Sequence, residues 1–498
     1  MQNTKEKISQ FLNSSWFISL TTVIALLCYE LNIAEITIAY FVLLAAYVFI
    51  FENDITPLFI IPIYAPMILD VKFAWSTAVY VIFGILAAIF IGTLIYFLVR
   101  QFKVNKHKFV MGKMFWAGVV VCAVMVIAGV GSANFVYAKW WKQILFPVVL
   151  FIFYLFAINF AQKDNKRYIA KLFIGIACFI MLQMLIFLLR SPNPLAVIQS
   201  KGIKVGNGNM INAAGTFLAL AIPFCFYLAN NSKRDWLYCI LGFLTYLFLV
   251  LTGSRGALLV ATLLLPVAFI VSMVKSKEKK RYFIILIIAS VVLVAGLVLL
   301  IIKRDIVLSM FMKLGFSANG RLPLYNLAWE NFLKAPITGT GVYAPSIVPG
   351  LKSTVYYYHC TPLMILSCFG VIGVIGFAYY YFKKLKIFMS AMTLYKFFSL
   401  IALLTIEGYG MFDAIGMNPS MILITLIFVV TAENEKNPEK FKSVKEELTS
   451  FKDDMKELGG EFKIKKQKKE TENVNEEQIY TEIKIEKTKK KTKENNKQ

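Results

Sequence analysis

Long apolar segments recur along the chain and limit it to one class of fold. Runs of about 20 apolar residues are long enough to cross the hydrocarbon core of a bilayer as helices. The runs are uniformly apolar and do not alternate, which favours helices over barrel strands. They lie at 16–29, 33–51, 55–70, 73–99, 110–131, 141–161, 170–189, 210–229, 236–252, 256–274, 282–302, 360–382, 393–411 and 417–432. We therefore predict an all-α, polytopic integral membrane protein with about 12–14 transmembrane helices.

The distribution of charge predicts how these helices are oriented. Of the 498 residues, 58% are hydrophobic, yet the net charge is +24, and the lysines and arginines cluster in alternate connections between the apolar runs. These connections are centred on residues 100–108, 163–171, 233–234, 275–281 and 383–386. Because basic loops remain in the cytoplasm, we expect both termini to be cytoplasmic. The Lys/Asn/Ile-rich composition and the long basic tail hint at a bacterium, so we expect a bacterial plasma membrane. Only Phe51–Asp54, which carries acids and no base, departs from this pattern.

The same assignment divides the chain into three parts. Residues 1–432 form the transmembrane domain, and within it 303–359 is a long polar loop on the outer face, with shorter outer loops at 190–209, 252–256 and 411–417. Residues 437–460 have the apolar spacing of a cytoplasmic amphipathic helix. Residues 461–498 are rich in Lys and Glu, which is typical of disorder. Basic residues spread over short loops favour attraction to anionic lipid over nucleic-acid binding.

Two outer arginines and one histidine are the candidates for chemistry. Arg255 lies between two apolar runs and is flanked by Gly253 and Gly256, which allow close approach of a ligand. Arg321 opens a predicted helix over Leu322–Lys334, where an anionic phosphate would be favourable. His359, a residue type suited to general-base catalysis, precedes an apolar run. The alternatives are a tight turn with a snorkelling arginine, a helix-capping arginine and a structural histidine.

Two carboxylates lie near the outer end of the next helix. Glu407 and Asp413 could each orient His359, replace it as the base, or pair with an arginine. The seven cysteines show no CxxC or other metal-type spacing, so we predict neither a disulfide framework nor a zinc site. Cys360 is a poor nucleophile candidate, since adjacent side chains rarely point at one another.

Together these motifs resemble the O-antigen ligase and Wzy-type polysaccharide polymerase family. The resemblance covers roughly residues 205–375. It rests on Ser254-Arg255-Gly256, Gly320-Arg321 through Leu327-Ala328-Trp329, Pro336-Ile337-Thr338-Gly339-Thr340-Gly341, His359, and Leu363, Leu366 and Gly370-Val371-Ile372-Gly373. One departure is Cys360, where the family usually has Asn after the histidine.

The resemblance implies a membrane glycosyltransferase that uses no metal or other cofactor. It would move a glycan from an undecaprenyl diphosphate donor to a sugar hydroxyl on a glycan or lipid acceptor. His359 would take the proton of that hydroxyl, and Arg255 and Arg321 would hold the departing diphosphate. Arg190, Lys201 and Lys204 would help to bind diphosphate or anionic sugar, and other membrane proteins of polysaccharide assembly are possible partners.

Two further readings come from other functional classes. Many helices and a few intramembrane charges also fit a transporter or lipid-glycan flippase, whose charges should lie near mid-membrane. Here the candidate residues gather at the predicted outer rim, which favours chemistry there. A structural scaffold acting through the C-terminal tail would need residues 437–498 for its function.

Overall fold

The protein is a bundle of α-helices in the part of the chain that the structure describes. The computed structural model describes residues 2–68, 77–133, 135–161, 164–200, 202–206, 211–288, 291, 321–343 and 358–435. Within these residues no strand forms, and the predicted all-α polytopic class is confirmed. In chain order the helices are α1 Gln2–Leu12, α2 Ser15–Glu30, α3 Ala34–Phe51, α4 Ile60–Ile68, α5 Thr77–Val99, α6 Phe115–Ile127, α7 Trp140–Phe160, α8 Lys166–Arg190, α9 Pro194–Gln199, α10 Ile211–Asn230, α11 Asp235–Thr252, α12 Arg255–Lys275, α13 279–288, α14 Arg321–Lys334, α15 Thr361–Met389, α16 Leu394–Gly410 and α17 Pro419–Glu433.

Every predicted apolar run that falls on described residues is helical over most of its length. Over those residues seven helices are long and apolar enough to cross a membrane, or eight if α1 and α2, bent by 67°, form one span. Four further apolar helices are shorter. The predicted tail regions 437–460 and 461–498, and residues 303–320 and 344–357 of the predicted outer loop, lie outside the described residues.

Helix α10 is the most enclosed of the candidate spans. In its apolar window 83% of residues are buried, and it packs against α8, α11, α12 and α16. Its sequence is apolar on all sides, as expected for a helix surrounded by other helices rather than by lipid. It therefore forms the centre of the main core.

The connections between helices collect at two ends of the bundle. At the end we call the histidine end, segments 252–256, 358–360 and 411–417 lie near one another, and Gly215 near the start of α10 packs on Ser254. At the other, the basic end, Lys166 contacts Glu435 at 2.9 Å and Thr393 donates to the same carboxylate. The predicted basic loops and predicted outer loops therefore occupy opposite ends.

Two basic residues, Arg100 and Lys384, have partners that the charge pattern of the sequence did not reveal. Arg100 donates to the carbonyl oxygens of Ile50 and Glu52, which supplies the positive charge missing from Phe51–Asp54. Lys384 was counted with the basic connection at 383–386, and that was wrong. Because α15 continues to Met389, Lys384 is still inside the bundle, where it is 2% exposed and lies 3.1 Å from Glu407.

A loop and a broken helix are joined through their backbones. Gly370 interrupts α15 with φ 62° and ψ −159°, a conformation almost restricted to glycine. The NH groups of Val371 and Ile372 donate to the carbonyl oxygens of Pro336 and Ile337, and those of Thr340 and Gly341 donate to α15 carbonyls at Ser367 and Cys368. A helix break within a membrane leaves backbone groups without partners, and this loop satisfies them.

Gly370→Ala should destabilise the fold strongly. A Cβ there would stand 2.4 Å from the Ile337 carbonyl oxygen in addition to straining the backbone. We expect a loss of about 2–5 kcal/mol, measured as a lower thermal midpoint in detergent. Gly131→Ala is the matched control, because Gly131 also has a positive φ but has nothing within 4 Å, and it should lose only about 1 kcal/mol. An equal loss of stability in both variants would contradict the proposed packing of the loop against the break in α15.

Candidate functional site

His359 lies two residues before α15 and is aimed at a carboxylate. Its backbone has φ +49°, a left-handed conformation that non-glycine residues seldom adopt. Ring atom Nδ1 lies 3.0 Å from Asp413 Oδ1, and 45% of the side chain remains exposed. An ionised carboxylate only accepts hydrogen bonds, so the shared proton sits on Nδ1 and Nε2 carries the lone pair. The imidazole is therefore oriented to accept a proton at Nε2.

Asp413 is held in its ionised form by several donors. Besides His359, the backbone NH of Ala414 donates to Oδ1 at 2.8 Å, and the hydroxyl of Tyr409 donates to Oδ2 at 3.4 Å. Burial alone would raise the pKa of this carboxyl, but the His359 and Ala414 hydrogen bonds and the positive charge of Arg321 bring the pKa below its usual value. Because the pKa is depressed, the contribution of these contacts is present at neutral pH. It is lost only as the pH falls through that lowered value.

Thr361 fixes the turn that carries Asp413. Its hydroxyl donates to the Asp413 carbonyl oxygen at 3.2 Å and accepts from the backbone NH of Gly416 at 3.2 Å. Asp413 also caps the short 3-10 helix Ala414–Met417. Thr361 therefore joins the start of α15 to the segment after α16, next to the His359–Asp413 pair.

Arg321 is brought to the same carboxylate from the described part of the long polar loop. It is the first residue of α14, and its positive charge acts on Asp413 and on Tyr325. The Tyr325 hydroxyl donates to the carbonyl oxygen of His359 at 3.4 Å. Farther along α14, Asn331 donates to the Tyr358 hydroxyl at 2.8 Å. Two contacts therefore join α14 to the residues around His359.

The face of α14 that packs on the protein contains a polar residue. Its buried residues are Leu324, Ala328 and Asn331, and Asn331 turns inward to reach Tyr358. The apolar spacing of the helix puts Ala328 and Trp329 on a face that could lie on the membrane surface, and Trp329 is 50% exposed. Apolar spacing alone does not reveal the contact of Asn331.

Arg255 belongs to a helix that packs against the turn carrying Asp413. It opens α12 two residues after Gly253, whose φ of 62° ends α11 in a left-handed turn. A Cβ on Gly256 would stand 2.4 Å from the Tyr409 ring, so α12 and α16 meet at this glycine. The Ser254 hydroxyl donates to the Tyr409 hydroxyl at 3.5 Å. Tyr409 thus lies between the Arg255 turn and Asp413.

The remaining predicted residues lie elsewhere. Glu407 is paired with Lys384 and contacts neither His359 nor an arginine through any described hydrogen bond. Arg190 forms an ion pair with Glu30, where α8 and α2 end. Lys204 is exposed in the 202–206 segment, and Lys201 lies outside the described residues.

Sequence reasoning missed the residues that connect the site. Tyr409, Thr361 and Tyr325 carry no motif of their own, and their roles depend on how the helix ends meet. Cys360, by contrast, was discounted as a nucleophile, and burial raises the pKa of its thiol, which disfavours the thiolate. Over the described ranges, no group of three or more His, Cys, Asp or Glu side chains is placed to hold a metal ion.

Residues 240–378 match the family model Wzy_C, described as O-Antigen ligase. This region is similar to the O-antigen ligase family. No curated relative matches the chain. Arg255, Arg321 and His359 all fall inside the O-antigen ligase region, whereas Tyr409 and Asp413, which connect them, lie beyond its end. The match agrees with the extent of the resemblance predicted from the sequence, and it makes the protein an O-antigen ligase- or polymerase-type membrane protein in general.

Proposed function

We propose that the protein transfers a glycan from undecaprenyl diphosphate to a sugar hydroxyl at the histidine end of the bundle. The observation that supports this most directly is the turn Tyr409–Asp413. Asp413 contacts His359 and lies within the electrostatic reach of Arg321, while Tyr409 packs against Gly256 beside Arg255. A base and two permanent positive charges around one turn suit a reaction that removes a proton and releases an anion.

The proton is taken by His359. As the acceptor oxygen forms its bond to the anomeric carbon, the O–H proton passes to Nε2, and the ring becomes imidazolium. The ionised Asp413 stabilises that charge through Nδ1. In the same step the bond between the anomeric carbon and the diphosphate oxygen breaks, and the diphosphate leaves with the electron pair. A single displacement of this kind inverts the anomeric configuration.

The two arginines stabilise the departing diphosphate. A guanidinium remains charged at every physiological pH and binds phosphate oxygens through two parallel hydrogen bonds. Arg255 and Arg321 each begin a helix, so the partial positive charge of the helix N-terminus adds to their own. In this proposal they supply the charge that a divalent metal supplies in many other transferases, and no metal takes part.

Reconstitution tests the function directly. Purified protein in liposomes is given an undecaprenyl-diphosphate-linked glycan and an acceptor, and both the extended glycan and the released undecaprenyl diphosphate are measured. The flippase alternative makes the opposite prediction in cells. A deletion strain should accumulate lipid-linked repeat units on the outer leaflet if the protein is a transferase, and on the inner leaflet if it is a flippase.

Removal of residues 437–498 should leave transfer close to the full-length rate. The charge rule assigns the basic end, where α17 ends, to the cytoplasm, whereas the proposed reaction takes place at the histidine end. Transfer per molecule of inserted protein is compared between the truncated and full-length proteins. Abolished transfer with normal insertion would favour the scaffold reading.

A further inference from the structure

A cavity of about 270 Å³ lies between α6, α7, α15, α16 and α17. Its walls are mainly apolar and aromatic, and include Val121, Leu150, Phe377 and Ile422. Along α6 the lining runs from Met114 to Met125, which corresponds to roughly 16 Å at the rise of an α-helix. The cavity is therefore long and narrow, and it follows the direction of the helices.

The charged groups in its wall are already paired. The Lys384 ammonium contacts Glu407 at 3.1 Å and lies over the rings of Tyr380 and Tyr381 at 4.8 and 5.0 Å. The Lys384 side chain is 3% exposed and that of Glu407 24%, so the ammonium is enclosed while part of its paired carboxylate faces the cavity. Apart from this pair, the cavity offers mainly hydrocarbon contacts.

One part of the cavity wall is the turn that carries Asp413. Gly416 and Met417 line the cavity, and so does Met364, which lies one helical turn after Thr361. The Gly416 NH binds the Thr361 hydroxyl, which in turn binds the carbonyl oxygen of Asp413. The space for a hydrocarbon chain therefore begins directly behind the proposed reaction site.

We propose that this cavity holds the part of the donor's polyprenyl chain nearest its diphosphate. The inference rests on the proposed function and assigns a place to the lipid portion of the donor. Because that chain otherwise lies in equally apolar lipid, the hydrophobic effect contributes little and close packing must provide the preference. A phospholipid acyl chain fits the same walls. The donor is favoured because one molecule can place its diphosphate beside the arginines and its chain in the adjoining cavity.

Filling the cavity provides the test. Val121→Trp and Leu150→Trp introduce indole rings from two different walls, and Val149→Trp is the control, since Val149 is 50% exposed on the outer surface of α7. Each variant is assayed with an undecaprenyl diphosphate donor and with a donor whose diphosphate carries only an ethyl group. The filling variants should raise KM for the undecaprenyl donor about tenfold or more, equivalent to about 1.4 kcal/mol. KM for the ethyl donor, and both values in the control, should not change.

Other results would overturn the inference. An unchanged KM for the undecaprenyl donor in both filling variants would show that the chain lies elsewhere. An equal rise in KM for both donors would show a general structural effect. If the wild-type protein transfers glycan from neither donor, the proposed function fails, and photolabelling still tests the cavity. A diazirine near the phosphate end of undecaprenyl phosphate should label the part of the cavity wall around Met125 and Met417, and Val121→Trp should reduce that labelling. Labelling only by a diazirine-bearing phospholipid would assign the cavity to bilayer lipid.

Discussion

His359→Ala should lower the rate of glycan transfer by about 10²- to 10⁴-fold while the protein remains inserted and abundant. The proton of the acceptor hydroxyl then has no positioned base, and Asp413 would be a poor replacement because a carboxylate is intrinsically a much weaker base than an imidazole. Transfer is measured in liposomes as the initial rate of undecaprenyl diphosphate release. The matched control is His107→Ala, since His107 lies at the basic end, where its Nε2 is 3.1 Å from Asn159.

A variant of Asp413 tests the same assignment in a second way. Asp413→Asn keeps the shape of the side chain but removes its charge, and should also reduce the rate strongly. If Asp413 acts through the imidazole, the double variant His359→Ala/Asp413→Asn should be little slower than His359→Ala alone, because residues acting as a unit are not additive. Full activity of His359→Ala would overturn the assignment of the base. If the rate loss of the double variant equals the product of the two single rate losses, Asp413 acts independently of His359.

Arg255→Ala and Arg321→Ala should each reduce transfer by about 10²- to 10³-fold, because a group that stabilises the developing charge is lost. Lysine at either position should restore part of the rate, since an ammonium keeps the charge but lacks the paired donors. Arg281→Ala is the control, because Arg281 forms an ion pair with Asp235 at the basic end. The same assays with a chelator should run at the untreated rate.

Two donors with different leaving groups distinguish a loss of charge stabilisation from a loss of correctly folded protein. A donor with a better leaving group needs less stabilisation, so the arginine variants should lose less of their rate with such a donor than with undecaprenyl diphosphate. The His359→Ala variant should not show this selective recovery. Equal losses on both donors in the arginine variants, or a chelator-sensitive rate, would contradict the proposed role.

The sequence predicted the class of fold, the grouping of loops by charge and the three residues of the proposed chemistry. It could not choose between Glu407 and Asp413. The two residues are six positions apart, and only the end of α16 at Gly410 separates them. Glu407 remains on the helix and faces Lys384, while Asp413 lies in the turn that reaches His359. No periodic pattern specifies where a helix ends to within one turn.

The sequence also could not predict the backbone hydrogen bonds between the long polar loop and the break in α15. The glycines Gly339 and Gly370 stand in recognisable motifs, but a turn-forming glycine and one that admits another backbone look alike in a single sequence. Their contact depends on a break in α15 that apolar composition conceals. The same limit applied to Lys384, whose charge suggested a loop although the helix continues past it.

The position of Asp413 outside the matched region has a practical consequence for engineering. A graft of residues 240–378 into another multi-span chain would transplant both arginines and the histidine, yet leave behind the carboxylate that orients the imidazole. Under the proposed mechanism, such a hybrid would contain the whole matched region and still be inactive unless the recipient supplied its own acidic turn. Functional exchange between proteins of this kind should therefore place its junction after Met417, beyond the end of the recognisable domain.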